Sequence, residues 1–337
     1  AFYNAGEFDD DGASGEQGLF FNVLMPARNH AGAGPFWCGS TSLLRVEALR
    51  EIGGVATETI TEDMHTTLKL IRAGWTTVYH HQTLAVGLAP ETPGQYLLQR
   101  RRWGMGAMQI LALEHLWSAK RWLSWRNYYE YLMGTLWWLE GMSTMISFAV
   151  PMAVLLSGAQ TSTAGPLTFT LVFIAMFSAR LWGAKRLMRK QIHWPTAFAL
   201  RVFRVPVGMA CFWWLLSRRS LEFEVTAKGG ADDRARGQTP RVLWAVLATV
   251  CLILTIALLR TLGVVPWRSE SGSTVAAAAW LVVAAIVLLM GARRIRAAAY
   301  ATSRRNAYRT VLGLDVIFGD ATAVLIDVSV NGAALSM

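Results

Sequence analysis

Two short stretches hold residue types that could do chemistry together. The first, Thr59-Ile60-Thr61-Glu62-Asp63, is an acidic pair opening an amphipathic helix. Thr59 can cap with Glu62 three residues on, and an apolar stripe through Met64, Leu68 and Ile71 runs until Gly74 ends the pattern. The second, Gln99-Arg100-Arg101-Arg102-Trp103, lies inside another helix, for which Thr92 is the expected N-cap, Pro93 the first residue and Gln95 the reciprocal capping partner. Spacings of three and four put Gln99, Arg102, Trp103 and Gly106 on one side of that helix. An amide, a guanidinium and an indole on one face suit an anionic leaving group beside a ring-shaped, weakly polar acceptor such as a sugar. An acidic cap and a basic interfacial helix that snorkels at a membrane surface would use the same residues, and the local pattern leaves both readings open.

The elements that must position these residues belong to a membrane protein. The 337 residues are 53% hydrophobic with a net charge of +10 and a mean hydropathy of +0.33, too apolar for an ordinary soluble enzyme. Trp137, Trp138, Trp182, Trp194, Trp213 and Trp214 cluster around the middle apolar runs, as interfacial belts require. Cys38, Cys211 and Cys251 are far apart and lack metal-site spacing, so neither a disulfide scaffold nor a zinc site is expected. Ala1 to Asp11 is polar and acidic where a signal peptide would be basic and then apolar, and a start without Met suggests a piece of a longer chain. Asp9-Asp10-Asp11 contains a D-x-D spacing, but no buried strand delivers it into a cleft, so a solvated loop is expected there.

Phe20 to Gln109 reads as the back half of a soluble catalytic domain. Phe36 to Leu44 is a small-residue loop leading into a strand or helix start, and Trp75 to His80 a short strand bounded by Gly74. An open α/β sheet needs its early strands for its core and for the ligand crevice at their carboxyl ends. No P-loop or dinucleotide fingerprint is present.

Runs able to cross a bilayer are Tyr131 to Leu156, Leu167 to Trp182, Val242 to Leu262 and Val275 to Met290. A fifth run, Pro195 to Leu216, has basic residues on both sides: Arg180, Lys185, Arg186, Arg189 and Lys190 before it, and Arg218, Arg219, Lys228, Arg234, Arg236 and Arg241 after it. It therefore starts and finishes on the cytoplasmic side, as an interfacial or partly re-entrant helix with Arg201 and Arg204 on its wet face. Four crossings follow, with both chain ends in the cytoplasm. The spans hold almost no acidic residue beyond Glu140, which argues against an ion-coupled carrier, whereas polar aromatics and hydroxyls could line a path for a neutral polymer.

Phe223-Glu224-Val225-Thr226-Ala227-Lys228-Gly229-Gly230 is either a lid that brings Thr226 and Lys228 to a diphosphate or a structural turn. After the last span a basic linker, Arg304 to Arg309, leads into strands at Val311 to Phe318 and Ala323 to Ile326 and a turn at Asp327 to Gly332. Arginines four apart can fold over a phosphate or stack on a base, while Asp327 and Ser329 at a strand end can take donors from its edge. A positive-inside anchor is the alternative for Arg304, Arg305 and Arg309 but explains nothing about Asp327, Ser329 and Gly332.

In this order the motifs resemble the catalytic subunit of bacterial cellulose synthase, a processive family-2 membrane glycosyltransferase, from inside its glycosyltransferase domain into its PilZ domain. The resemblance implies an α/β, GT-A-like C-terminal portion, then an α-helical transmembrane region and the start of a β-barrel PilZ domain. The boundaries expected are residues 1–118 for the transferase part, 119–291 for the membrane region, with an interfacial helix at about 193–217 and a gating loop at 218–241, and 292–337 for the linker and truncated PilZ domain. By resemblance the T-E-D motif makes Asp63 the base that deprotonates the acceptor hydroxyl. The Q-x-x-R-W motif places Gln99 and Arg102 near the donor diphosphate and stacks Trp103 on the acceptor. The F-F-C-G-S motif appears as Phe36-Trp37-Cys38-Gly39-Ser40, with Trp in place of the second Phe, in the acceptor-binding region. The F-x-V-T-x-K gating loop falls on Phe223, Val225, Thr226 and Lys228, the last two also facing the diphosphate. The R-x-x-x-R and D-x-S-x-x-G motifs fall on Arg305 and Arg309 and on Asp327, Ser329 and Gly332, implying binding of cyclic di-GMP as activator.

The reaction so implied is inverting transfer of glucose from UDP-glucose to the end of a β-1,4-glucan, which is threaded across the bacterial inner membrane. The family's upstream aspartate motifs, which hold UDP and a magnesium ion, are not in this sequence, so no metal ligand is expected within it. An accessory periplasmic or extracytoplasmic subunit is implied, and no nucleic-acid polymer. The alternatives are a synthase of a different β-linked polysaccharide, or, for this stretch alone, a non-catalytic membrane element that binds cyclic di-GMP.

Overall fold

The structure, a computed structural model, describes residues 2–3, 20–39, 41–81, 86–87, 90, 92–160, 165–187, 194–218, 239–265, 271–302, 310–318, 321–329 and 332–336. A short strand β1 (Phe2–Tyr3) pairs in parallel with β2 (Val86–Gly87). Between them a π-helical turn at Phe20–Leu24 runs into α1 (Met25–Ala31), and α2 (Val46–Glu51) and α3 (Glu62–Arg72) follow. The helix α4 (Pro93–Leu113) leads into the membrane region: α5 (Trp125–Leu136), α6 (Glu140–Ser157), α7 (Pro166–Leu187), α8 (Trp194–Phe203), α9 (Val205–Ser217), α10 (Arg241–Thr261) and α11 (Ser271–Thr302). Strands β3 (Thr310–Phe318), β4 (Ala321–Ser329) and β5 (Gly332–Ser336) end the chain.

The capping box expected at Thr92 forms: its hydroxyl accepts from the Gln95 amide at 3.2 Å, and the Gln95 side chain accepts from the Thr92 amide at 3.3 Å. The start of α3 differs from expectation. Its N-cap is Thr61, and the Thr59 hydroxyl turns instead to His65 Nδ1, 3.3 Å away. The segment 75–80 is not a strand either. Its backbone finds a side chain in place of a neighbouring strand: Asn29 accepts from the Tyr79 amide at 2.9 Å and donates to the Tyr79 carbonyl at 2.5 Å. One amide side chain thus does what a β-bridge would do.

Trp125–Ser157, Arg241–Thr261 and Gly272–Ile295 are each long and apolar enough to cross a membrane, and α7 contributes the shorter apolar helix Thr170–Gly183. The fifth run departs from the sequence reading in the setting of its arginines. It forms two helices, α8 and α9, bent by 45° at Arg204, and the pair together has the length and composition of a broken span or a re-entrant loop. Arg204 is not on a wet face. It is 4% exposed and bonded to Glu140 and Tyr96, while Arg201 donates to Thr144 and Ser143, both at 2.8 Å. Apolar burial explains the pair's position: Leu200, Phe203 and Val202 enter the bundle core with Phe148, Leu155, Val250, Leu281 and Leu288.

Backbones come close where side chains vanish. A Cβ built on Gly208 would lie 2.8 Å from the Gly141 Cα, so α6 and α9 touch through two glycines, and Gly291 of α11 faces the Pro195 carbonyl of α8. A second core joins α4 to its neighbours through Leu68, Met105, Met108, Ile110, Leu111, Tyr131, Val207 and Trp214. The site-bearing helix therefore rests directly on the membrane helices.

The terminal strands form an antiparallel sheet in the order β3-β4-β5, open rather than closed into a barrel among the described residues. Asp327 stands opposite Val311, and Ser329 opposite Gly332. The parity of the charge reading remains testable by single cysteines in a chain freed of its own three. Labelling from outside intact cells is expected to fail at Gly230 and succeed at Ser271. Labelling at Gly230 without lysis would show that the run 195–216 crosses.

Candidate active site

Three separated segments converge on Asp63. Its Oδ1 accepts from the Met64 amide at 2.7 Å, which fixes the carboxylate over the first turn of α3. A Cβ on Gly39 would stand 2.9 Å from Asp63 Oδ2, and Gly39 has φ +65°, so loop 36–39 lies against the carboxylate through a residue that only glycine fills without strain. Thr67 ties the two together by donating to the Asp63 carbonyl at 2.9 Å and accepting from the Trp37 amide at 3.0 Å. Burial, helped by neighbouring Glu62, pushes the Asp63 carboxyl up to about 6 against the Met64 hydrogen bond and the positive field of Arg102, which lower it. A carboxylate with that affinity is poised to take a proton near neutral pH.

Helix α4 forms the opposite wall. Gly106 packs against the side chain of Thr61, whose hydroxyl is buried without a hydrogen-bond partner. Gln109 accepts from the Ile60 amide at 2.9 Å. Gln99 is buried at 2% exposure, while Arg102 and Trp103 are half-buried. Phe36 is half-buried between Phe20 and Tyr131 with the Arg28 guanidinium 5.0 Å from its ring centre. Cys38 is half-exposed, its sulfur 3.3 Å from the Phe36 carbonyl, and burial of the sulfur with the nearby Asp63 charge holds the thiol well above its usual range, so it is a neutral wall and not a nucleophile.

Some residues of the site carry no sequence signal. His65 is fully buried, with Nε2 at 2.8 Å from Glu114 at the end of α4, and Arg72 donates to the other Glu114 oxygen at 2.7 Å. The His65 hydrogen bond, with help from Arg72, holds Glu114 below the usual carboxylate range. These bonds clamp α3 to α4 behind Asp63 across 49 and 42 residues of chain, separations no local pattern encodes. Arg100 is buried too, donating to Gln99 Oε1 at 2.7 Å and lying 4.4 and 4.5 Å from the ring centres of Tyr96 and Trp103.

Residues 17–183 match the family described as glycosyl transferase family group 2. Those residues belong to that family. The chain is similar to "Cellulose synthase 2" of Novacetimonas hansenii, 30% identical over 86% of this chain and 18% of that protein. It is also similar to two proteins named cellulose synthase catalytic subunit, UDP-forming. That of Pseudomonas fluorescens (strain SBW25) is 33% identical over 65% of this chain and 30% of its own length, and the first such subunit of Komagataeibacter xylinus is 30% identical over 86% and 40%. The chain thus spans well under half the length of these relatives.

Other sites named from the sequence fall beyond the description. Ser40, the gating-loop residues Phe223, Val225, Thr226 and Lys228, and Arg305 and Arg309 lie outside the described residues, as do Asp9 to Asp11. For Asp327, Ser329 and Gly332 the backbone register alone is described.

Proposed function

We propose that the chain supplies the general base, the acceptor platform and the membrane path of a processive, inverting glycosyl transferase. In this reading it adds glucose from UDP-glucose to a growing β-1,4-glucan and passes the polymer through the bacterial inner membrane. The observation that carries it is the convergence of Asp63, its carboxyl raised to about 6, with the loop at Gly39 and the field of Arg102. Asp63 takes the proton of the acceptor hydroxyl as that oxygen attacks the sugar donor, and Arg102 stabilises the charge building on the departing diphosphate. Trp103 offers its half-buried ring to the acceptor. The names of the relatives favour glucose as the sugar and UDP as the leaving group.

Magnesium is part of the reaction this family implies. Among the described residues no group of three or more His, Cys, Asp or Glu side chains could hold a metal ion, so these residues do not fit it and no step is routed through it. The deciding experiment offers radiolabelled UDP-glucose to the full-length protein in vesicles. Label in a polymer cut by a β-1,4-glucanase is expected, and label in a polymer resisting that enzyme would move the reading to another polysaccharide.

Cyclic di-GMP is the proposed activator, held by Arg305 and Arg309 with Asp327, Ser329 and Gly332. Alanine at both arginines in the full-length protein is expected to abolish nucleotide binding by calorimetry and to uncouple synthesis from the nucleotide. Unchanged affinity would remove that assignment.

A further inference from the structure

A polar chain runs from the middle of the membrane helices to the acceptor face, and each link is a buried or half-buried side chain. Glu140, at the start of α6, accepts from Arg204 at 2.6 and 3.1 Å. Arg204 occupies the break between α8 and α9, with its guanidinium 5.0 Å from the Trp137 ring centre. It donates at 3.0 Å to the hydroxyl of Tyr96, a fully buried residue in the first turns of α4. Tyr96 stacks on Phe203 on one side and faces the Arg100 guanidinium on the other. Arg100 then holds Gln99 by a hydrogen bond and lies against Trp103.

A buried ion pair at a helix break is costly to build and is not needed to fill space, since apolar residues of similar volume would do that at least as well. Its geometry does fix one thing: the angle of the bent pair relative to α4. We infer that Glu140, Arg204, Tyr96 and Arg100 are positioning residues that set the Trp103 ring according to the placement of α8 and α9. The membrane helices would thereby control how the acceptor end is seated between transfers. Naming Trp103 as the acceptor platform rests on the function proposed above, whereas the mechanical link does not.

The test uses the full-length protein labelled with 5-fluorotryptophan, its Trp103 fluorine line assigned by Trp103→Phe. Tyr96→Phe removes one hydroxyl and keeps both ring contacts, and Glu140→Gln removes the charge. Both are expected to move the Trp103 line. Both should also lower polymer elongation about tenfold while UDP affinity stays within about twofold, the signature of a seating defect rather than a lost donor site. Arg260→Gln, which breaks hydrogen bonds to the Leu155 and Leu156 carbonyls elsewhere in the bundle, should leave the line in place. If Glu140→Gln does not fold, Tyr96→Phe decides alone. A Trp103 line unmoved by Tyr96→Phe would overturn the inference. A line that moves in a protein making no glucan would uphold the link and sink the polymer reading.

Discussion

Asp63→Asn in the full-length protein is expected to lower glucan synthesis by about 10²- to 10⁴-fold, the usual contribution of a positioned base, while UDP binding stays intact. Stability makes the sign of this experiment informative. The folded carboxyl, at about 6, lies above its ordinary 3.8, so the folded chain holds the proton more tightly than the unfolded one. Ionising Asp63 therefore subtracts stability as pH rises from 3.8 to about 6, and the full cost is present above that window. Asn pays none of it, and its side-chain oxygen can still accept from the Met64 amide. The variant should be at least as stable as the parent at neutral pH, by up to roughly 3 kcal/mol. A carboxylate that only complemented the helix dipole would behave in the opposite way, its loss costing about 0.3–1 kcal/mol with little loss of turnover. The parent's own rate should fall as pH drops below about 6 through one protonation. A rate flat to pH 5, with Asp63→Asn nearly as active as the parent, would remove Asp63 from the chemistry.

Trp103→Ala is the second decisive substitution. The indole is half-buried and backed by Arg100 at 4.5 Å from its centre, so it has one supported face and one to offer. Stacking of a ring on an aromatic face is worth on the order of 1–3 kcal/mol, so elongation should fall about tenfold to a hundredfold, with donor hydrolysis to UDP affected far less. A membrane scaffold that only bound cyclic di-GMP would tolerate the change completely. Unaltered elongation in Trp103→Ala, with Asp63→Asn inactive, would keep the enzyme and move the platform elsewhere.

Local chemistry made the two site helices readable in advance. Thr92, Pro93 and Gln95 carry their cap within four residues, and the stripe Met64, Leu68 and Ile71 needs no distant partner to declare a helix. What stayed hidden depends on pairs far apart in the chain. Arg204 looked like a solvated charge because its two partners, Glu140 and Tyr96, are 64 and 108 residues away. The segment at Tyr79 has the composition of a strand, yet Asn29, 50 residues earlier, satisfies its backbone. Arg100 read as one basic residue in a run of three, and only the packing of Tyr96 and Trp103 around it turns it into a buried strut. Periodicity reports which face is apolar and says nothing of which charge will be enclosed by a second element.

The contact between Gly106 and Thr61 reaches beyond this molecule. A Cβ on Gly106 would come within 2.8 Å of the Thr61 Cβ and closer still to the rest of that side chain, and the Thr61 hydroxyl has no hydrogen bond to lose. Positions 61 and 106 therefore share one volume and should be inherited as a unit. Among homologues, glycine at 106 should accompany every intact T-E-D motif, and a larger residue there should appear only where position 61 has given up its own side chain. A lineage that breaks this pairing must have shifted α4 away from Asp63, and with it the width of the cleft between the two site helices.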